Sequence, residues 1–163
     1  LDSLPYVRKG KYGVIGHSLG RHNSVYTAVF DDRLVAIVSS CGLDAYPDYY
    51  DGDVARWQPG QGWTQLLYIP ALAEYRNRLD EIPFDFHEMI SALAPRHVFI
   101  SAPLHDANFR AASVDRVATA ARPVFELWNR GDRLVVEHPD CDHDFPTAMR
   151  EKAYKLFERT LSQ

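Results

Sequence analysis

Apolar residues along this chain fall into two rhythms. Tyr12 to Ile15, Leu34 to Val38, His97 to Ala102 and Leu134 to Glu137 are short apolar runs of the kind that forms buried strands. Elsewhere the spacing lengthens to three and four residues. Leu19, His22, Tyr26, Val29 and Phe30 share one helical face, Val114, Val117, Ala118 and Ala121 a second, and Met149, Ala153, Leu156, Phe157, Thr160 and Leu161 a third. Strand-length runs alternating with helical stripes predict an α/β fold, a parallel sheet of about four strands with helices on both faces. The breakers agree with this division. Asp31-Asp32-Arg33 ends the first helix, Pro95 and Gly131-Asp132 precede the third and fourth strands, and Pro146 suits a helix's first turn. Pro123 predicts a kink or restart in the second helix, because it supplies no backbone N–H.

Tyr46 to Asp85 breaks the alternation. Pro47, Pro59, Pro70, Pro83, Gly60 and Gly62 punctuate it, and Tyr49, Tyr50, Trp57, Trp63, Tyr68 and Tyr75 crowd between them. The segment reads as an excursion over the end of the sheet, a lid or substrate wall, inside a single domain spanning residues 1–163.

At 163 residues and 46% hydrophobic, the chain is long and apolar enough for one well-buried core. A net charge of −4, with no basic run, argues against nucleic acid and anionic membranes as partners. No apolar stretch approaches the ~18 residues of a membrane span. The opening "LDSLPYVRKG" carries no signal-peptide pattern and reads as cut from something longer. Cys41 and Cys141 follow different strands, which fits two reduced thiols rather than a disulfide framework. No cofactor is predicted.

The chemistry centres on Gly16-His17-Ser18-Leu19-Gly20, a Gly-x-Ser-x-Gly sequence between a strand and a helix. That context fits a nucleophilic serine on a tight, strained turn, where glycines at the two outer positions relieve crowding. A capping serine is the plainer alternative. A serine nucleophile needs a histidine base and an acid to orient it. Among seven histidines, His143 lies between the last strand and the terminal helix, whereas His138 sits at the strand's end and reads as structural. Asp106, on the loop after the third strand, is the candidate acid, with Asp44 after the second strand as runner-up. His17 and Arg21 flank the serine and are candidate substrate contacts, as are Trp57 and Trp63, for which core packing is an equal reading. His105 adjoins the acid.

His138, Asp140, Cys141, Asp142, His143 and Asp144 crowd one short loop, but their spacing matches no usual zinc pattern. Carboxylates entering a helix are explained by its N-terminal dipole. No metal is predicted.

With serine, acid and histidine in that order, the chain resembles the C-terminal half of α/β-hydrolases, a superfamily that includes dienelactone hydrolases, acetyl xylan esterases and prolyl oligopeptidases. "GVIGHSLG" is similar to the nucleophile elbow, "LAPRHVFISAPLHDANF" to the acid strand and loop, and "VVEHPDCDHDFP" to the histidine loop. "GWTQLLYIP" and "PFDFHEMISALAPR" resemble bacterial members of the dienelactone-hydrolase-like and acetyl-xylan-esterase-like kind. The resemblance implies a serine hydrolase of carboxylic esters, with Leu19 N–H as one oxyanion donor. It also implies earlier strands and a second oxyanion donor that this sequence does not contain. Arg21 departs from the family, where a second glycine is usual. The exposed edge of the elbow strand then predicts either pairing with an N-terminal half of the same polypeptide or edge-to-edge homodimerisation. A truncated, non-catalytic module that self-associates or binds a partner is the alternative.

Overall fold

Four parallel strands lie in chain order across one sheet: β1 (Tyr12–His17), β2 (Leu34–Ser40), β3 (His97–Ser101) and β4 (Leu134–Glu137). The structure is a computed structural model and describes residues 1–162. The register sets Val14 beside Ile37, Ile37 beside Val98, and Val98 beside Leu134. Strand side chains alternate between faces, so the sheet has two different cores. Ile37, Val98 and Ile100 face the larger one, built with α1 (Leu19–Phe30), α2 (Phe86–Ala92) and α3 (Ala111–Leu127). Val38 and Phe99 face the smaller, closed by Phe145, Met149 and Ala153 with α4 (Thr147–Leu161). Helices therefore cover both faces, as the alternating pattern predicts.

Each sequence-predicted element is present, with two differences. The α3 helix runs on through Pro123 to Leu127 instead of restarting. A proline inside a helix costs about 3 kcal/mol, and Pro123 is exposed while Val117, Ala121 and Phe125 of the same helix are buried. Full burial of a Val or Phe side chain stabilises by about 1.5–3 kcal/mol, so Val117 and Phe125 together offset the proline's cost. The second difference is α2, which the sequence reading did not recognise. Its signal lies in Asp85-Phe86-His87-Glu88: the Asp85 carboxylate accepts from Phe86 N at 2.6 Å, and Glu88 Oε2 accepts from Asp85 N at 2.5 Å. Reciprocal bonding of this kind starts a helix, and Phe86, Met89 and Ile90 then form its buried stripe.

Between β2 and α2 the chain makes five short 3₁₀ turns. Proline and glycine keep these turns from lengthening, and aromatic rings hold them down. Trp57 is 0% and Trp63 2% exposed. The Tyr46 ring lies 5.6 Å from Trp57 and 5.9 Å from Trp63, and His22 of α1 lies 4.7 Å from Trp63. The two tryptophans are thus core residues, not an exposed substrate wall.

Among the described residues β1 pairs only with β2, so its other edge carries backbone groups outside the sheet's ladder. Ile15 on this strand is 39% exposed.

Candidate active site

Because the four strands run in one direction, their C-terminal ends share a rim, and the loops leaving it carry Ser18, Cys41, Asp106 and His143. Ser18 stands where β1 turns directly into α1, at φ 53° and ψ −117°. A non-glycine residue at positive φ costs about 1–3 kcal/mol and persists only where its surroundings hold it. Here its N–H donates to Ser40 O at 2.9 Å, and its carbonyl accepts from Arg21 N at 3.1 Å and His22 N at 3.3 Å. Close packing of strand against helix also fixes Gly16, where a Cβ would collide with the Gly20 carbonyl group and Arg21 N. Gly20 differs, since a Cβ there meets nothing within 4 Å. Of the two outer glycines, only Gly16 is required by crowding within this chain. The turn leaves Leu19, first residue of α1, with a backbone N–H that donates to no carbonyl among the described residues.

Asp106 and His143 meet across two loops. His143 Nδ1 lies 2.9 Å from Asp106 Oδ2. The other oxygen, Oδ1, accepts from Asn108 N at 2.8 Å and Phe109 N at 3.3 Å. The Asp106 side chain is 1% exposed and His143 28%, so carboxylate and imidazole meet in a largely dry setting where the bond is strong. With Nδ1–H assigned as donor to Asp106, Nε2 is left as the acceptor. Phe109 stacks beside the imidazole at 6.1 Å, and His17 lies 5.1 Å from it. Tyr50 O–H donates to Asn108 Oδ1 at 2.5 Å and so ties the excursion to the acid loop. Ser18 Oγ makes no hydrogen bond among the described residues.

Asp44 is placed differently. It is 0% exposed, its Oδ2 accepts from Arg110 N at 3.4 Å, and its Oδ1 has no partner. Burial pushes its pKa up to about 8, which favours the neutral carboxylic acid at pH 7. Of the two candidate acids, Asp106 is the one beside His143. His138 bonds Ala102 O at 2.8 Å and Asp115 at 3.0 Å, and His105 bonds Asp140 at 2.7 Å. His17 Nδ1 lies 3.2 Å from Ser40 Oγ, and burial, with His143 beside it, lowers its pKa.

Arg21 does not line an open pocket as the sequence suggests. It is fully buried, with Nε donating to Ser18 O at 3.2 Å and Nη1 without a partner. Its guanidinium packs 5.0 Å from the Phe109 ring centroid and close to those of Trp63 and Phe86. Burial pulls its pKa down to about 9, so it remains a cation at neutral pH. Its side chain also presses on Gly42, where a Cβ would strike the guanidinium.

Cys41, at φ 54°, donates its S–H to Asp144 O at 3.0 Å, and burial raises its pKa to about 12. Metal-ligating atoms of Cys41, Asp106 and His143 all lie within 4.8 Å of one another. The hydrogen bonds already described occupy these groups. Sequence reasoning missed Cys41, Asn108 and Phe109 as neighbours of the histidine. Only Asn108 left a trace, in the turn-forming "DAN".

Comparison with protein families and with curated sequences finds no match. Solved structures do match. A glucuronoyl esterase of carbohydrate esterase family 15 from Caldicellulosiruptor kristjansonii superposes with a TM-score of 0.76 at 18% identity, covering 99% of this chain and 46% of its own. A promiscuous esterase of that family from a marine bacterial metagenome gives 0.78 at 18% identity, covering 97% and 44%. A glucuronoyl esterase from Solibacter usitatus gives 0.73 at 21% identity, covering 92% and 42%. The chain has the α/β-hydrolase fold and spans less than half the length of these neighbours.

Proposed function

We propose that this chain is the part of a serine hydrolase of carboxylic esters that carries nucleophile, acid and base. One observation supports this above others: the pair of His143 with the buried Asp106 carboxylate stands on the rim where Ser18 occupies a strained strand-to-helix turn. Ser18 Oγ adds to the ester carbonyl carbon while His143 Nε2 takes its proton. His143 then gives that proton to the departing alcohol, leaving an acyl-enzyme that water hydrolyses by the same exchange. Asp106 holds the tautomer and stabilises the imidazolium. Leu19 N–H, free at the start of α1, is one donor to the oxyanion.

No hydrogen bond joins Ser18 Oγ to His143 among the described residues, and bonds of this kind often tighten only when substrate binds. The structural neighbours are esterases by name, which supports the reaction class. The unpaired edge of β1 supports pairing with further strands, from the same polypeptide or a second copy. The same edge, with Ile15 exposed, favours a second reading, a self-associating module without turnover.

Labelling with a serine-directed fluorophosphonate separates the two. The hydrolase reading expects a covalent adduct at Ser18 that is lost in Ser18→Ala. An unreactive Ser18, in the full polypeptide as well as in this chain, would leave the second reading.

A further inference from the structure

The rim opposite Ser18, where the strands begin, is basic. His97 opens β3, the turn at Gly131–Arg133 leads into β4, and the end of α4 passes over both. Between them lies a cleft of about 570 Å³ lined by His97, Arg130, Asp132, Arg133, Arg159 and Thr160. A second hollow shares His97, Asp132, Arg133 and Arg159 with it and adds Lys155 and the ion pair of Lys152 with Glu137 at 2.7 Å. Three arginines against one aspartate make a positive site on a chain whose net charge is −4.

The three arginines are largely uncommitted. None of Arg130, Arg133 and Arg159 forms an ion pair among the described residues. Arg133 Nη1 donates to Pro95 O at 2.8 Å and Arg130 Nη1 to Asn129 O at 2.9 Å, while Arg159 makes no side-chain hydrogen bond. Most of their guanidinium N–H groups therefore face the cleft or solvent. The His97 imidazole sits among them: burial lowers its pKa, and Arg133, Arg159 and Arg130 lower it further against the opposing pull of Asp132. Thr160 also borders this cleft, although its Oγ1 is buried, without a hydrogen-bond partner among the described residues. Like-charged guanidinium groups around one cleft repel one another, and an oxyanion accepting from them relieves that cost.

We propose that this cleft binds a phosphate-class oxyanion. A phosphate dianion spreads its charge over a tetrahedral set of acceptor oxygens that several guanidinium groups can share from different directions, whereas a carboxylate presents two oxygens in one plane. The volume exceeds that of the bare ion and leaves room for the organic part of a phosphate monoester. The site is distinct from the Ser18 rim, at the other end of the sheet, where β3 alone, five residues long, spans about 16 Å. It stands or falls independently of the esterase reading.

Inorganic phosphate titrated into the ¹⁵N-labelled chain at constant ionic strength tests this, with the His97 imidazole resonances as readout. The expectation is a saturable shift at His97, with affinity reduced about tenfold or more in Arg159→Gln and further in Arg130→Gln/Arg159→Gln. Both arginines are exposed, and unchanged amide dispersion verifies that the variants fold. Glycerol phosphate binding more tightly than phosphate would mark a monoester as the ligand, and equal affinity the free ion. Absence of a saturable shift, an identical response to acetate, or undiminished affinity in a folded Arg159→Gln would each overturn the proposal.

Discussion

Asp106 Oδ2 lies 2.9 Å from His143 Nδ1, across loops that leave different strands. A carboxylate held there by two backbone N–H groups has one oxygen committed to its own loop and one to the imidazole. Asp106→Asn keeps the shape and removes the acceptor that selects the tautomer. Fluorophosphonate labelling of Ser18 is expected to slow by about 1,000-fold or more. Asp44→Asn should change the rate little. The reverse ranking would transfer the acid role to Asp44.

Asp44 also makes stability depend on pH. Its folded-state pKa is raised from 3.8 to about 8, so the native protein keeps a proton that the unfolded chain releases. The stabilisation is complete below about pH 4 and is lost as pH rises towards 8, by up to about 1.4 kcal/mol per pH unit. Asp44→Asn cannot ionise. Thermal melts at pH 5 and pH 8 are expected to show the variant gaining on the parent at the higher pH. Parallel curves would mean that Asp44 is ionised in the native state.

Gly16 and Gly20 look equivalent in the motif but not in three dimensions. Gly16→Ala forces backbone apart where β1 meets α1, and a loss of about 3 kcal/mol or more is expected, or failure to fold. Gly20→Ala meets nothing within 4 Å and lies inside α1, so stability should hold or rise by about 0.5–1 kcal/mol. Denaturant midpoints of the two variants compare them directly.

Arg21 and Gly42 should be energetically coupled. Gly42→Ala drives a methyl group into the Arg21 guanidinium and is expected to cost about 1–3 kcal/mol or more, since Gly42 also sits at φ 154°. In an Arg21→Gly background the collision disappears, and part of that loss should be recovered. A double-mutant cycle measures the coupling, and additive effects would show that the two residues do not press on each other.

The strands, three of the four helices and the candidate nucleophile were legible because each depends on local sequence. Short apolar runs and three-to-four-residue apolar spacing dictate which backbone form can bury its side chains, and a serine between a strand and a helix announces its own turn. Asp85-x-x-Glu88 carried the signal for α2 as well, although it lay beside a proline-rich stretch that masked it. Pro123 misled because the local cost of a proline in a helix is visible in sequence, while the burial of Val117 and Phe125 that offsets it is not.

What sequence alone determined is the order of elements and the residues able to do nucleophilic chemistry. The tertiary structure decided which of them meet: that Asp106 rather than Asp44 reaches His143, that Arg21, Trp57 and Trp63 are buried, and that three arginines gather around His97. Elements follow from interactions between near neighbours in the chain, whereas pairing, burial and charge clustering depend on residues far apart in sequence, which only packing brings within range of short distance-dependent forces.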